Sequence, residues 1–232
     1  MPARHTAAAS RRDIAAYPVA EAAGCVRVAS ATLRSWVMGR AYPTSRGVRH
    51  FRPLIRLAGT RPPLLSFNNL VEAHVLRALR TAHGTPIKAI RSALDYAESE
   101  LGIERLLLSR ELCTDKRELF LDRYGELINL SRSGQMAMRA VLEMHLHRIE
   151  RDDDALPVRL YPFVTTEAVG APRHIAIDPE VGFGRPILRR RGISTQVIVD
   201  RIDAGESLEE LALDYGLETA EVEEAVVYER AA

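Results

Sequence analysis

The run Tyr17-Pro-Val-Ala-Glu-Ala-Ala-Gly-Cys-Val-Arg-Val-Ala-Ser-Ala-Thr-Leu-Arg-Ser-Trp-Val-Met-Gly39 reads as two short helices joined by a turn. Val19–Gly24 is the first helical stretch and Ser30–Met38 the second, with Gly24 between them. Ser30 is the expected N-cap, because its hydroxyl can accept from a free backbone N–H two or three residues on. Gly39 stands where a helix end favours a left-handed residue. Val19, Ala22 and Ala23 can pack under Leu33, Trp36 and Val37, which leaves Ser30, Thr32, Arg34 and Ser35 facing outward. A short helix, a tight turn and a second helix with a polar, basic outer face are the parts of a helix-turn-helix. Arg34 suits a bidentate contact to guanine edges, and the hydroxyls suit phosphate or bases. The competing reading is an ordinary helical pair with a solvated basic face.

Charge along the chain favours the DNA-reading alternative. Residues 1–61 hold eleven arginines against only Asp13 and Glu21, whereas residues 200–232 hold eleven carboxylates against Arg201 and Arg230. A basic end attracts phosphate, and an acidic end repels it or pairs with a basic protein surface. Arg40 to Arg52 mixes turn formers (Pro43, Ser45, Gly47) with arginine and precedes a strand-like Phe51–Leu57. It reads as a wing on which Arg40, Arg46, Arg49 and Arg52 meet the DNA backbone.

Beyond Pro62-Pro63 the apolar period becomes helical. Ser66 caps a helix of about seventeen residues, with Val71, Val75, Ala78, Leu79 and Ala82 on one face. Gly84-Thr85-Pro86 stops it and starts another, with Thr85 as cap and Pro86 as first helical residue. There Ile87, Ile90, Leu94, Ala97 and Leu101 form a narrow seam, suited to a partner helix in a dimer or to the chain's own interior. Leu106–Leu108, Glu111–Thr114, Glu118–Asp122 and Leu127–Leu130, broken by Asp115-Lys116 and Tyr124-Gly125, read as a small antiparallel β-meander. Gln135–Ile149 returns to helix. Strand-like runs follow at Val158–Thr165 and Ile175–Ile177, then a turn-rich Gly182–Pro186 and the basic Arg189-Arg190-Arg191-Gly192. Three short helices close the chain at Thr195–Ala204, Ser207–Tyr215 and Thr219–Glu229, the second opened by the capping-box pattern Ser207-Leu-Glu-Glu210.

The expected fold is therefore α+β and mainly helical, in three regions: a winged helix-turn-helix over 1–64, central helices with the meander over 65–157, and a trihelical region over 158–232. A chain of 232 residues with 47% hydrophobic content can bury a proper core. No run is long and apolar enough to span a bilayer, and Met1–Arg12 lacks the apolar stretch of a signal peptide. Cys25 and Cys113 lie in unrelated patterns, so no disulfide framework is expected and the cytoplasm is the default location.

Enzymatic motifs are weak. Gly182-Phe-Gly184 lacks the third glycine of a dinucleotide loop. His145 and His147 are two apart and would point in different directions on a helix; both read as surface or core-edge residues. Asp152-Asp-Asp154 lacks the glycine and glutamate of a calcium loop. No cofactor or metal is expected.

Tyr17–Cys25 followed by Val28-Ala-Ser-Ala-Thr-Leu-Arg-Ser-Trp36 resembles the opening of MerR-type regulators. Leu54-Ile-Arg56 and Leu65-Ser-Phe-Asn-Asn-Leu-Val-Glu-Ala-His-Val-Leu-Arg-Ala-Leu-Arg80 depart from those regulators and resemble the MerR-like half of a group of VapB-type antitoxins. Ile177-Asp-Pro-Glu-Val-Gly-Phe-Gly-Arg-Pro-Ile187 and Gly192–Leu217 resemble a small trihelical domain found in antitoxins. The resemblance implies operator DNA and a cognate PIN-domain endoribonuclease toxin as partners, with repression of the protein's own operon. Toxin contacts then fall to Arg189, Arg190 and Arg191, aimed at a carboxylate cluster, or to the acidic helices, including Glu209 and Glu210, laid on a basic surface. A homodimer suits a palindromic operator. The alternative is a stand-alone regulator that senses a small ligand through the central region.

Overall fold

Apolar residues three and four apart build the first half of the chain, and short β-branched runs build part of the second. The computed structural model describes residues 10–44, 47–81, 86–113, 116–127, 131–164 and 170–231. Strand β1 (Tyr17–Pro18) leads into helices α1 (Val19–Cys25) and α2 (Ser30–Met38). The hairpin β2 (Arg40–Thr44) and β3 (Gly47–Phe51) follows, with Arg40 opposite Phe51 and Tyr42 opposite Arg49. Strands β4 (Gly59–Thr60) and β5 (Pro63–Leu65) complete a small antiparallel sheet in the order β1-β5-β4. Then come α3 (Phe67–Thr81), α4 (Ile87–Ser99), α5 (Lys116–Leu127) and α6 (Arg132–Leu146). A five-stranded antiparallel sheet is made by β6 (Ile149–Arg151), β7 (Pro157–Leu160), β8 (Ile175–Ile177), β9 (Pro186–Leu188) and β10 (Ile193–Ser194), each strand beside its sequence neighbour. Helices α7 (Thr195–Asp203), α8 (Leu208–Tyr215) and α9 (Thr219–Arg230) end the chain. The α+β, mainly helical class expected from the sequence is the class observed.

One apolar cluster runs from Tyr17 through α1–α6 to Leu160 and Ile177, with Trp36, Phe67, Leu70, Ile90, Phe120 and Tyr124 at or below 2% exposure. A second gathers Ile175, Leu188, Ile198, Leu211, Val222, Ala225 and Tyr228 under the last three helices. Along the expected seam, Ile90 and Ala97 of α4 are fully buried, and Ile87, Leu94 and, just past the helix, Leu101 pack against the main cluster. The narrow seam is thus used inside the chain.

Polar residues fix the joints. Ser66 caps α3 through Ser66 Oγ, which accepts from the Asn69 N–H at 3.2 Å. Buried Asn69 accepts from the N–H groups of Ala58 and Ser66 and donates to Arg56 C=O and Glu72. Glu72 in turn takes both arms of Arg105 at 2.9 Å, a bidentate pair that ties α3 to the segment after α4. Ser207 and Glu210 form the capping box of α8, and Gly216 ends that helix in the left-handed region.

Several expectations are corrected. The meander over 106–130 is absent among the described residues: Leu106–Leu108 lie in turns, Arg110–Cys113 is a 3-10 turn, and Glu118–Asp122 lies inside α5. Phe120, Leu121 and Tyr124 are buried together at helical spacing. Gly125, read as a turn, is a packing residue, since a Cβ there would meet the Gln135 side chain of α6 at 2.8 Å. Asp115 and residues 128–130 lie outside the described residues, as do Ala82, Gly84, Thr85 and Thr165. Pro86 is the cap of α4 and not its first residue. The strand expected over Phe51–Leu57 stops at Phe51, because the N–H groups of Leu54 and Ile55 turn back to Trp36 C=O at 2.7 and 3.2 Å. Ile149 starts β6 and is not part of α6. His145 is fully buried, not at the surface, while His147 is exposed.

Candidate nucleic-acid interface

The apolar faces of α1 and α2 meet through Val19, Ala22, Ala23, Leu33, Trp36 and Val37, all at or below 4% exposure. The turn between the helices has no glycine at its left-handed position; Arg27 takes it, with φ of 55°. Two arginines clamp the turn. Arg77 of α3 donates to Val26 C=O at 3.1 Å. Arg27 donates to Tyr228 C=O in α9 and lies 4.2 Å from the Tyr228 ring centre. Cys25 is buried beneath, where desolvation, reinforced by Glu21, pushes its thiol up to about 12; it is a packing residue, not a reactive one.

Ser30 does not cap α2. The cap position is Ala29, whose side chain has nothing to offer, and Ser30 is the first helical residue. Gly39 ends the helix with φ of 76°, and a Cβ there would sit 2.2 Å from Phe51 C=O. Only glycine lets the hairpin close this tightly on the helix. Within the hairpin, Tyr42 stacks on Phe51 with ring centres 4.1 Å apart.

Ser30, Arg34, Arg40, Arg49 and Arg52 are exposed, and Thr32 and Ser35 are half-buried. Ser35 Oγ donates to Thr32 C=O at 2.7 Å, so that hydroxyl is engaged by its own helix. Thr32, Arg34, Ser35 and Arg40 are brought together on one cleft of about 680 Å³. Ser30 faces a different cleft beside Arg27, Arg49 and Arg52 lie on or just after the hairpin, and Arg46 lies outside the described residues.

Two further arginines enter the first cleft that the sequence reading passed over: Arg80 at the end of α3 and Arg91 in α4. Arg91 donates to Arg52 C=O and lies 5.8 Å from the Phe51 ring centre. Burial lowers the Arg91 pKa, with Asp95 opposing and the Arg52 charge adding to the shift. The signal available in the sequence was that both stand on helices otherwise read for their apolar faces alone.

At the other end, Arg189 is exposed, Arg190 bridges to Glu218 at 3.4 Å and Glu221 at 3.3 Å, and Arg191 donates to Gly216 C=O at 3.2 Å. Glu209 is exposed, and Glu210 accepts from the Ser207 N–H at 2.8 Å. Arg191 therefore touches the C-terminal end of α8, whereas Glu209 and Glu210 stand at its N-terminal end. The fold does not gather the five residues into one spot.

A clamped helix pair, a winged hairpin and a basic cleft between them define the class, a helix-turn-helix protein. Residues 15–94 match the family described as "Putative DNA-binding HTH domain", which reaches through α3 and most of α4. Residues 175–228 match "Protein of unknown function (DUF433)". The chain is 30% identical to the protein described as "Putative antitoxin VapB45" of Mycobacterium tuberculosis, over 93% of this chain and 94% of the relative, and it belongs to that family. It is also 25% identical to the uncharacterized protein Rv2308 of the same organism, over 94% of this chain and 92% of the relative. Among solved structures, the crystal structure of Rv2018 from Mycobacterium tuberculosis matches with a TM-score of 0.67 and 26% identity, over 94% of this chain and all of that one. Family and domain point to DNA binding and to antitoxins. No helix among the described residues is long and apolar enough to cross a membrane.

Proposed function

We propose that this protein is the antitoxin of a toxin–antitoxin pair, which represses its own operon through the helix-turn-helix and neutralises a PIN-domain endoribonuclease toxin through its C-terminal region. The observation that carries the DNA half is the cleft where Thr32, Arg34, Ser35 and Arg40 meet Arg80 and Arg91. Four arginines line it beside the exposed face of α2, an arrangement suited to phosphates flanking a groove-inserted helix. Arg34 reads bases; Arg40, Arg46, Arg49 and Arg52 hold the backbone, with Ser30 beside them. In this reading the MerR-like winged unit spans 1–64, the central helices 65–157 and the trihelical antitoxin-type domain 158–232. The protein works in the cytoplasm as a homodimer, through a surface other than the buried α4 seam.

The toxin half rests on the family and on charge. Arg189, Arg190 and Arg191 stand on the turn between β9 and β10, and Glu209 on the open first turn of α8; Glu210 supports that turn. Co-expression with the PIN-domain nuclease of the same operon tests this half. The nuclease is expected to lose its toxicity and to co-purify with this chain; a nuclease that stays lethal and does not co-purify contradicts it.

One observation favours a second reading, a ligand-responsive regulator. A cleft of about 680 Å³ lies between the α1–α2 turn and the ends of α7 and α9, lined by Arg27, Ser30, Thr195 and Tyr228. Under that reading the nuclease result is negative while DNA binding persists.

A further inference from the structure

The ladder between β8 and β9 pairs Ile175 with Leu188. It is extended by the Arg189 N–H donating to His174 C=O at 2.7 Å. Arg173 and Arg190 lie just past the end of this ladder, Arg190 in the turn between β9 and β10. Arg173, His174, Arg189 and Arg190, with Glu221, line a cleft of about 340 Å³. Arg173 and Arg189 each lie 5.5 Å from the ring centre of buried Tyr161, so the ring is the shared platform of both guanidiniums.

The carboxylates nearby are occupied. Glu221 accepts from Arg190 and from the Glu218 N–H at 2.9 Å. Glu224 bridges to His174 at 2.5 Å. Glu150, which feels the Arg189 charge, is already bound by the Tyr161 hydroxyl and by Arg159 at 3.1 Å. Arg173 and Arg189 form no carboxylate bridge among the described residues. A cleft in which Arg173 and Arg189, without carboxylate bridges, share one aromatic platform beside the already bridged Arg190 is suited to an oxyanion.

We propose that this cleft binds a small phosphorylated molecule, whose phosphate supplies the counter-charge that Arg173 and Arg189 lack, beside Arg190. The surroundings select size. Residues 200–232 carry eleven carboxylates; Glu221 lines the cleft, and Glu218 and Glu224 contact its Arg190 and His174, so a long polyanion is repelled where a compact one is held. Arg189 and Arg190 belong also to the proposed toxin face, and occupancy would then compete with the toxin. Arg173 and His174 do not belong to it, and the site is tested on the free protein, so its failure leaves the toxin reading untouched.

Calorimetric titration of the full chain with pyrophosphate is the test. Saturable binding to one site is expected, weakened about tenfold by Arg173→Gln and again by Arg189→Gln. Both side chains are exposed, so the variants should fold, as their melting curves would verify. Arg123→Gln, which removes an equal charge on α5, is expected to leave the affinity unchanged. Absent or unsaturable binding, or equal binding by wild type and both Arg173 and Arg189 variants, overturns the site. Tighter binding of a short single-stranded RNA through the same arginines at matched salt overturns the small-molecule assignment in favour of nucleic acid.

Discussion

His74 is a buried ring whose work is structural. Its Nε2 lies 3.0 Å from His145 C=O, and its ring centre is 4.9 Å from that of His145. Desolvation, then the His145 charge, and the charges of Arg77 and Arg148 hold its pKa well below the usual histidine range, against the hydrogen bond to His145 C=O. A histidine with a depressed folded-state pKa binds fewer protons folded than unfolded, so stability rises with pH up to the unfolded value of about 6.5 and is lost as pH falls below it. Unfolding free energy, and with it the melting temperature, is expected to fall from about pH 7 to about pH 5, the free energy by at most about 1.4 kcal/mol per pH unit from this group. His74→Phe should flatten that slope, and an unchanged slope would remove the assignment. Tyr17 makes a comparable point at a joint. Its hydroxyl donates to Gly184 C=O at 2.7 Å, in a buried contact between the N-terminal strand and the β8–β9 loop. Tyr17→Phe leaves that acceptor unpaired and is expected to lower unfolding stability by about 1–3 kcal/mol; a loss within error would mean the contact is not buried in solution.

Elements announced by end signals were legible in the sequence, and those announced only by apolar runs were not. Helix α8 has Ser207 and Glu210 at one end and Gly216 at the other, and its span was read almost to the residue. Helix α2 was placed correctly although its cap is Ala29, because Trp36 and Leu33 mark the buried face and Gly39 the end. Helix α5 was missed because its apolar residues sit in a background of charge and because Gly125 looks like a turn while serving a close helix contact. Period two and period 3.6 cannot be told apart over four residues. The basic cleft shows the same limit: Arg34 and Arg40 were visible as motif residues, but Arg80 and Arg91 reach it only through the packing of α3 and α4. Gly39 carries the element-scale test. With φ of 76° and Phe51 C=O 2.2 Å from any Cβ, Gly39→Ala is expected to cost more than the roughly 1–3 kcal/mol of left-handed strain alone. It should displace the hairpin and weaken DNA binding; unchanged denaturation midpoint and affinity would show that the wing closes differently.

At the scale of the whole chain, the basic and acidic ends are in contact and not merely strung together, since Arg27 stacks on Tyr228. The basic end also meets the middle of the chain: Arg11 bridges to Glu180 at 3.3 Å, and Arg12 to Asp152 at 2.7 Å. The exposed bridge adds little stability by itself, but Arg27 and Tyr17 place the DNA-reading unit directly on the C-terminal elements. That contact was invisible in the sequence, since nothing marks Arg27 as a turn residue or Tyr228 as its platform. The central claim, that α2 and the hairpin read DNA, is tested most directly by titrating the DNA upstream of this protein's own gene over a range of salt with wild type, Arg34→Ala, Arg49→Ala and Arg91→Gln. Arg34→Ala is expected to weaken binding and relax its sequence preference, while Arg49→Ala and Arg91→Gln weaken it uniformly and each lower the salt slope by about one. Identical affinity, preference and salt slope for all four proteins would contradict the account.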